Sequence, residues 1–378
     1  MEFRSESKPV HMTRPASPST NAKPAKVGIV GLGHCAKVLT RVAASSGKIK
    51  IIAAYSRSEE KRRSFQLETR VPVVSALKTL LSYPMIDGVI LTVPGDQHLP
   101  VATEVAKAKK HIYIENPIAG ALEYGLAIAA LEQKYEITVT VGHSARFLSG
   151  IRKIREAIDS GELGTVALIE ANFSRPSALE PSPDDWGRHQ DRGAGGPLSQ
   201  LALQQFDVLH YLGGEISEAG AMAAKLSPIG SEVGDQSMTL LRFADGKVGY
   251  VGSSCTSPGV FAVRVLGSKA LMHYEIDLDA WNTSEKSTLY LQRGKDGYAK
   301  RENLRVPESD IFRTKLEMFA ESCRTGKSGE LSVANANFAL AIVYAAMRSI
   351  DNRGQSIRIA DILRHAHTKK VRHDLVMR

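Results

Sequence analysis

The sequence predicts an α/β fold in two parts: a doubly wound parallel sheet first, then an α+β domain on an antiparallel sheet. Three observations predict it. From residue 26, short apolar runs alternate with helically spaced segments. The first run ends in a glycine-rich turn that opens a helix. From about residue 217, strand-like runs follow one another across hairpin turns.

The alternation is clear along the first half. "KVGIVGLG" reads as a strand, "HCAKVLTRVAAS" as a helix, "KIKIIAAYS" as a strand and "EEKRRSFQLE" as a helix. "IDGVILTVP", "HIYIE" and "ITVTVGH" add strands, with "PVATEVAKAKK" and "YGLAIAALEQKY" as helices. Runs so continuously apolar suit a parallel sheet covered on both faces. After residue 150 come a helix, "IRKIREAIDSG", a strand, "TVALIEANF", and a Pro/Asp-rich loop. An apolar helix, "PLSQLALQQFDVLHYLGG", leads into successive strands, where "ADGK" and "LGSK" mark hairpin turns. Two helices near 309–325 and 333–352 close the domain. The expected divisions are a disordered extension at 1–25, a dinucleotide-binding domain at 26–145, a substrate-binding and oligomerisation domain at 146–362, and a basic tail at 363–378.

Charge and cysteine usage narrow the function classes. The net charge of +9 sits mostly at the ends: residues 1–26 hold five Lys/Arg against two Glu, and residues 364–378 hold five against one Asp. Basic residues gathered on a folded face would point to nucleic acid; charge on tails does not. No apolar run reaches a membrane span and no secretory leader is readable at the start. Cys35, Cys255 and Cys323 are scattered and odd in number, which suits a reducing, cytoplasmic setting without disulfides or a metal site.

"VGIVGLGHCAK" places Gly31, Gly33 and Ala36 in a G-x-G-x-x-A pattern between strand and helix. Gly31 makes the tight turn, Gly33 admits a pyrophosphate to the backbone, and Ala36 lets helix and sheet pack closely. His34 and Cys35 stand in the helix's first turn, whose free N–H groups face the phosphates. A thiol there can be acidified by the helix end, although packing explains Cys35 equally well. An NAD site usually carries an acidic residue about 20 positions on. Here the second strand ends "AAYSRSEE", so Ser56, Arg57 and Ser58 occupy that place. A guanidinium and two hydroxyls suit a 2′-phosphate. The expected cofactor is therefore NADP(H), with NAD(H) the less favoured alternative.

Several segments together resemble the glucose–fructose oxidoreductase and inositol dehydrogenase (Gfo/Idh/MocA) family, from residue 26 to about 362. They are the glycine turn, "TVPGDQH" with Pro94 and His98, "YIENP" with Glu115 and Asn116, "VGHSARF" with His143 and Arg146, "GGPLSQLALQQFD", and the late helix "ANANFALAIVYAAMRS". The resemblance implies an N-terminal Rossmann domain and a C-terminal α+β domain with a large, open, mostly antiparallel sheet. It also implies a nicotinamide cofactor, a sugar-like or polyol substrate, hydride transfer, and homodimers or homotetramers formed through the sheets. The chain departs from the family's proton-transfer set at three places. Asn116 stands where the family carries lysine. Counting back from Asp207, Gln200 and Gln204 stand for its Asp and His. These amides can hold sugar hydroxyls but cannot titrate.

A redox enzyme of this kind needs another acid. His189, in "WGRHQDRGAGG", is the expected proton donor; Tyr113, Glu115, His143, Arg188 and Asp191 are further candidates. His210, on an apolar helix, reads as a satisfied core histidine. The alternative function is a cofactor-binding sensor or partner protein without turnover.

Overall fold

The computed structural model describes residues 23–177, 196–227, 234–281, 286–294 and 300–376. Its first sheet has six parallel strands in the order β3-β2-β1-β4-β5-β6. They are β1 (Ala25–Val30), β2 (Ile49–Tyr55), β3 (Val73–Val74), β4 (Gly88–Leu91), β5 (His111–Ile114) and β6 (Val139–Val141). The crossovers carry α1 (His34–Ala44), α2 (Glu59–Thr69), α3 (Leu77–Leu81), α4 (His98–Lys107) and α5 (Leu122–Tyr135). β4 and β6 are buried throughout, as strands covered on both faces must be. The strand order reverses between β1 and β4, which opens the crevice where such sheets take ligands.

The second half begins with α6 (Ser149–Asp159) and β7 (Val166–Ser174). A π-helical turn at Leu198–Ala202 runs straight into α7 (Leu203–Gly213). Then follow β8 (Ile216–Ala224), β9 (Gln236–Phe243), β10 (Val248–Ser254), β11 (Val260–Gly267), β12 (Ala270–Ile276), β13 (Ser287–Arg293) and β14 (Lys300–Asn303). The chain ends with α8 (Ile311–Thr325), α9 (Val333–Asp351), β15 (Ile357–Arg358) and α10 (Ile359–Val376). The nine-stranded order is β14-β13-β12-β11-β7-β10-β9-β8-β15. Both expected hairpins form, β9–β10 and β11–β12. The sheet is mixed, because β7 and β10 pair in parallel. β9 buries every second residue, so one face packs on helices and the other is exposed.

Two findings alter the domain picture. α8 returns to the first sheet: Leu316 and Phe319 join the core formed by Val27, Ile29, Leu39 and Tyr113. The Phe319 ring lies 5.6 Å from that of Tyr113. Moreover, the segment expected as a basic tail is helical, with Ile362 and Ala366 of α10 buried. Most of the expected N-terminal extension lies outside the described residues. α9 is long and apolar enough by composition to cross a membrane. Here it is a core helix, packed on α5, α7 and β8.

Candidate functional site at the strand ends

The glycine turn leaves β1 with Gly31 at φ +91°, a backbone shape that side-chain-bearing residues rarely adopt. A Cβ there would lie 2.7 Å from the Thr92 carbonyl oxygen. The Gly31 N–H donates to Tyr55 O at 2.9 Å, and Thr92 Oγ1 donates to Gly31 O at 2.6 Å. Gly33 is the N-cap of α1, and no side chain caps that end. A Cβ on Gly33 would meet nothing within 4 Å. The first-turn N–H groups of α1, with His34 and Cys35, therefore face an open cradle, while Ala36 is fully buried behind it. These residues fit a diphosphate. The Cys35 thiol is pushed up to about 12 by burial and by Glu115, against the acidifying reading of its helix-end position.

At the end of β2 the acidic residue is absent, as expected. Ser58 caps α2, its side chain accepting from Lys61 N at 3.2 Å. Arg57 is exposed, and its guanidinium has no hydrogen bond or ion pair among the described residues. Glu59 pairs with Arg63 at 2.6 Å, along the helix. Arg62, which sequence reading missed, donates from Nη1 to Ser56 O at 2.6 Å and to Arg57 O at 3.0 Å. Two guanidinium groups thus gather at this strand end.

On the other half of the crevice, Pro94 caps a short 3-10 turn, Gly95–Gln97, that leads into α4. His98 is buried; its Nδ1 lies 3.0 Å from Ile118 O, and its Nε2 has no hydrogen-bond partner among the described residues. Glu115 follows β5 and accepts from Tyr113 Oη at 2.7 Å. Burial and that carboxylate hold the Tyr113 phenol well above its usual range. Tyr113 is thus a support for Glu115 and no proton donor to a ligand.

Glu115 has a second partner that sequence reading missed. Lys315 of α8, with 0% exposure, donates to Glu115 Oε1 at 3.2 Å, Ser144 Oγ at 2.8 Å and Gly142 O at 3.3 Å. A signal existed: Lys315 interrupts an apolar stripe formed by Ile311, Phe312, Leu316 and Phe319.

The motif after β6 ties the two halves together. Arg146 and Asp207 of α7 form a buried, two-pronged ion pair, with Arg146 Nε at 2.8 Å from Asp207 Oδ2. Arg146 Nη1 also donates to Glu330 O at 3.1 Å. His143 Nδ1 lies 3.4 Å from Asp207 Oδ1. Burial would raise the Asp207 carboxyl, but His143 and Arg146 outweigh it and bring it below its usual range. This pins α7 to the short turn Ala145–Phe147 that follows β6. Gln204, one turn before Asp207, lies on the same side of the helix, and Gln200 lies in the π turn above it. Asn116, Gln200 and Gln204 are all half-buried, and none of their side chains has a hydrogen bond among the described residues. His210 bonds to Gly214 O through Nδ1 at 3.0 Å, as a structural histidine. His189, Arg188 and Asp191 lie outside the described residues.

Comparison with known proteins agrees along the chain. Residues 25–143 match a family model described as "Oxidoreductase family, NAD-binding Rossmann fold". Residues 151–273 match one described as "GFO/IDH/MocA C-terminal domain". The uncharacterized oxidoreductase YrbE of Bacillus subtilis is 29% identical over 305 residues, spanning 75% of this chain and 85% of that protein. Myo-inositol 2-dehydrogenase of Thermotoga maritima is 22% identical over 358 residues, spanning 89% and 99%. A solved structure named as an NADPH-dependent oxidoreductase from Desulfitobacterium hafniense is 32% identical, with a TM-score of 0.85 over 90% of this chain and 99% of that one.

Proposed function

This chain belongs to the GFO/IDH/MocA oxidoreductase family, and from that premise we propose that it transfers a hydride between NADP(H) and a carbonyl or carbinol carbon of a sugar, keto-sugar or polyol. The observation that carries the cofactor choice is the end of β2, where Ser56, Arg57 and Ser58 take the place of the usual acidic residue and the Arg62 guanidinium folds back on Ser56 O and Arg57 O. The bound nicotinamide would supply the hydride. Gly31, Gly33, His34, Cys35 and Ala36 would hold the diphosphate; Ser56, Arg57 and Ser58 would hold the 2′-phosphate. Pro94, His98, Glu115 and Asn116 would line the nicotinamide half.

The half-buried amides of Asn116, Gln200 and Gln204 would bind sugar hydroxyls, as donors and acceptors at once. Inositol dehydrogenation by a relative of nearly full length supports that substrate class. His189 remains a proposed proton donor from the sequence reading. The exposed face of the second sheet would join copies of the chain.

Fluorescence titration tests the cofactor choice. NADPH should bind more tightly than NADH, and R57A should weaken NADPH by about 10–100-fold, the worth of a charge-assisted contact. NADH affinity should not move. Equal affinities, or an unchanged ratio in R57A, overturn the NADP(H) assignment. Tight NADPH binding without turnover on any keto-sugar or polyol would favour a sensor over an enzyme.

A further inference from the structure

Asn116, Gln200 and Gln204 cannot give up a proton at ordinary pH, and Tyr113 is buried against Glu115. The cation brought to this strand end comes instead from α8. We propose that Lys315 is the proton reservoir of the site and that it acts through the Ser144 hydroxyl, which passes the proton to the substrate oxygen.

The geometry carries this assignment. A lysine ammonium has three protons, and Lys315 Nζ has three kinds of acceptor around it: Ser144 Oγ, Glu115 and Gly142 O. Because Ser144 Oγ accepts from the lysine, its own proton is free to be donated. Among the described residues that proton has only a long contact, to Gly142 O at 3.4 Å. Ser144 is half-buried whereas Lys315 is wholly enclosed, so the hydroxyl is the end that a ligand can reach. A structural role alone explains the lysine poorly. A methionine would hold α8 on the sheet without the cost of dehydrating an ammonium. Lys315 is a positioning residue here, and Ser144 the group that would touch substrate.

The step balances. The bound nicotinamide would supply the hydride to the substrate carbonyl carbon, whose oxygen takes the proton from Ser144 Oγ. Ser144 Oγ takes a proton from Lys315 Nζ, leaving a neutral amine. Water restores that proton by way of Glu115, which is partly exposed. Oxidation runs the same path in reverse. The groups facing Lys315 are Glu115 and the Tyr113 phenol from β5, Cys35 from α1, and His143 and Ser144 after β6.

The inference rests on the proposed hydride transfer, and the test separates the two. The full-length variants K315M, S144A, S144A/K315M and K315M/E115Q are compared with wild type. The last removes both charges together, in case K315M alone does not fold; melting curves check each. In keto-sugar reduction with NADPH, K315M and S144A should each lower kcat by about 100-fold or more with little change in KM. The double variant should lose no more than either single one. An equilibrium readout stands beside these. K315M leaves Glu115 uncompensated, so it should tighten NADP+ relative to NADPH, and K315M/E115Q should abolish that shift. Wild-type kcat in folded K315M/E115Q, or additive losses from K315M and S144A, overturns the lysine assignment alone. A wild type that binds NADPH and reduces nothing overturns both.

Discussion

His98 and His143 are both enclosed, and among the described residues His98 Nε2 and both ring nitrogens of His143 have no hydrogen-bond partner. Burial holds both imidazoles below their ordinary range; for His143, Arg146 and Lys315 push the same way while Asp207 opposes. The consequence for stability has a definite sign. Between the lowered folded value and the unfolded value of about 6.5, the unfolded chain binds protons that the folded one refuses. Stability is then whole above about pH 7 and falls as pH drops through about 6.5. The slope should approach about 1.4 kcal/mol per pH unit for each such histidine. His111 and His210, also lowered by burial, add in the same sense. Urea unfolding of the apo protein from pH 8 to pH 5 measures it, and H143Q should reduce the slope. A flat profile would mean that these rings take up protons in the fold as readily as in the unfolded chain.

At the scale of elements, the β1–α1 turn separates folding from binding. Gly31 is held at φ +91° against the Thr92 carbonyl, so G31A should destabilise the apo protein by about 1–3 kcal/mol. Gly33 has extended backbone and open space where a side chain would go. G33A should leave the melting temperature almost unchanged and still weaken NADPH binding strongly, because the added methyl occupies the cradle. Melting and nucleotide titration on the two variants distinguish the roles. If G33A binds nucleotide as wild type does, the diphosphate lies elsewhere. The π turn before α7 is a second element of interest. It inserts one residue between Gln200 and Gln204 relative to an α-helix, so their relative directions are not those that a 3.6-residue count gives.

For the whole molecule, the outer face of the second sheet is the feature that a lone chain leaves unexplained. Met222, Met238, Leu240 and Val248 are exposed on adjacent strands, with Met222 opposite Met238 and Val248 opposite Arg242. Exposed apolar side chains on one sheet face are what the proposed contact between copies of the chain would cover. The variant M238K/L240K should reduce the mass found by light scattering to that of one chain, with the fold intact by circular dichroism. An unchanged oligomer, or a monomeric wild type, would remove this face as the contact.

The alternation of strands and helices in the first half, the glycine turn, the missing acidic residue after β2 and the family itself were all legible in the sequence. Each depends on neighbours within a few residues or on a short apolar period. Asn116, Gln200 and Gln204 were singled out by resemblance, and their role stays a proposal. What tertiary structure alone decided comes from distant segments. α8 leaves the second sheet to cover the first, which is how Lys315 meets Glu115 across 200 positions and Ser144 across 171. Arg146 meets Asp207 in the same way. A buried cation is tolerated only where its counter-charge and acceptors have been brought to it, and no local pattern in the chain records that meeting.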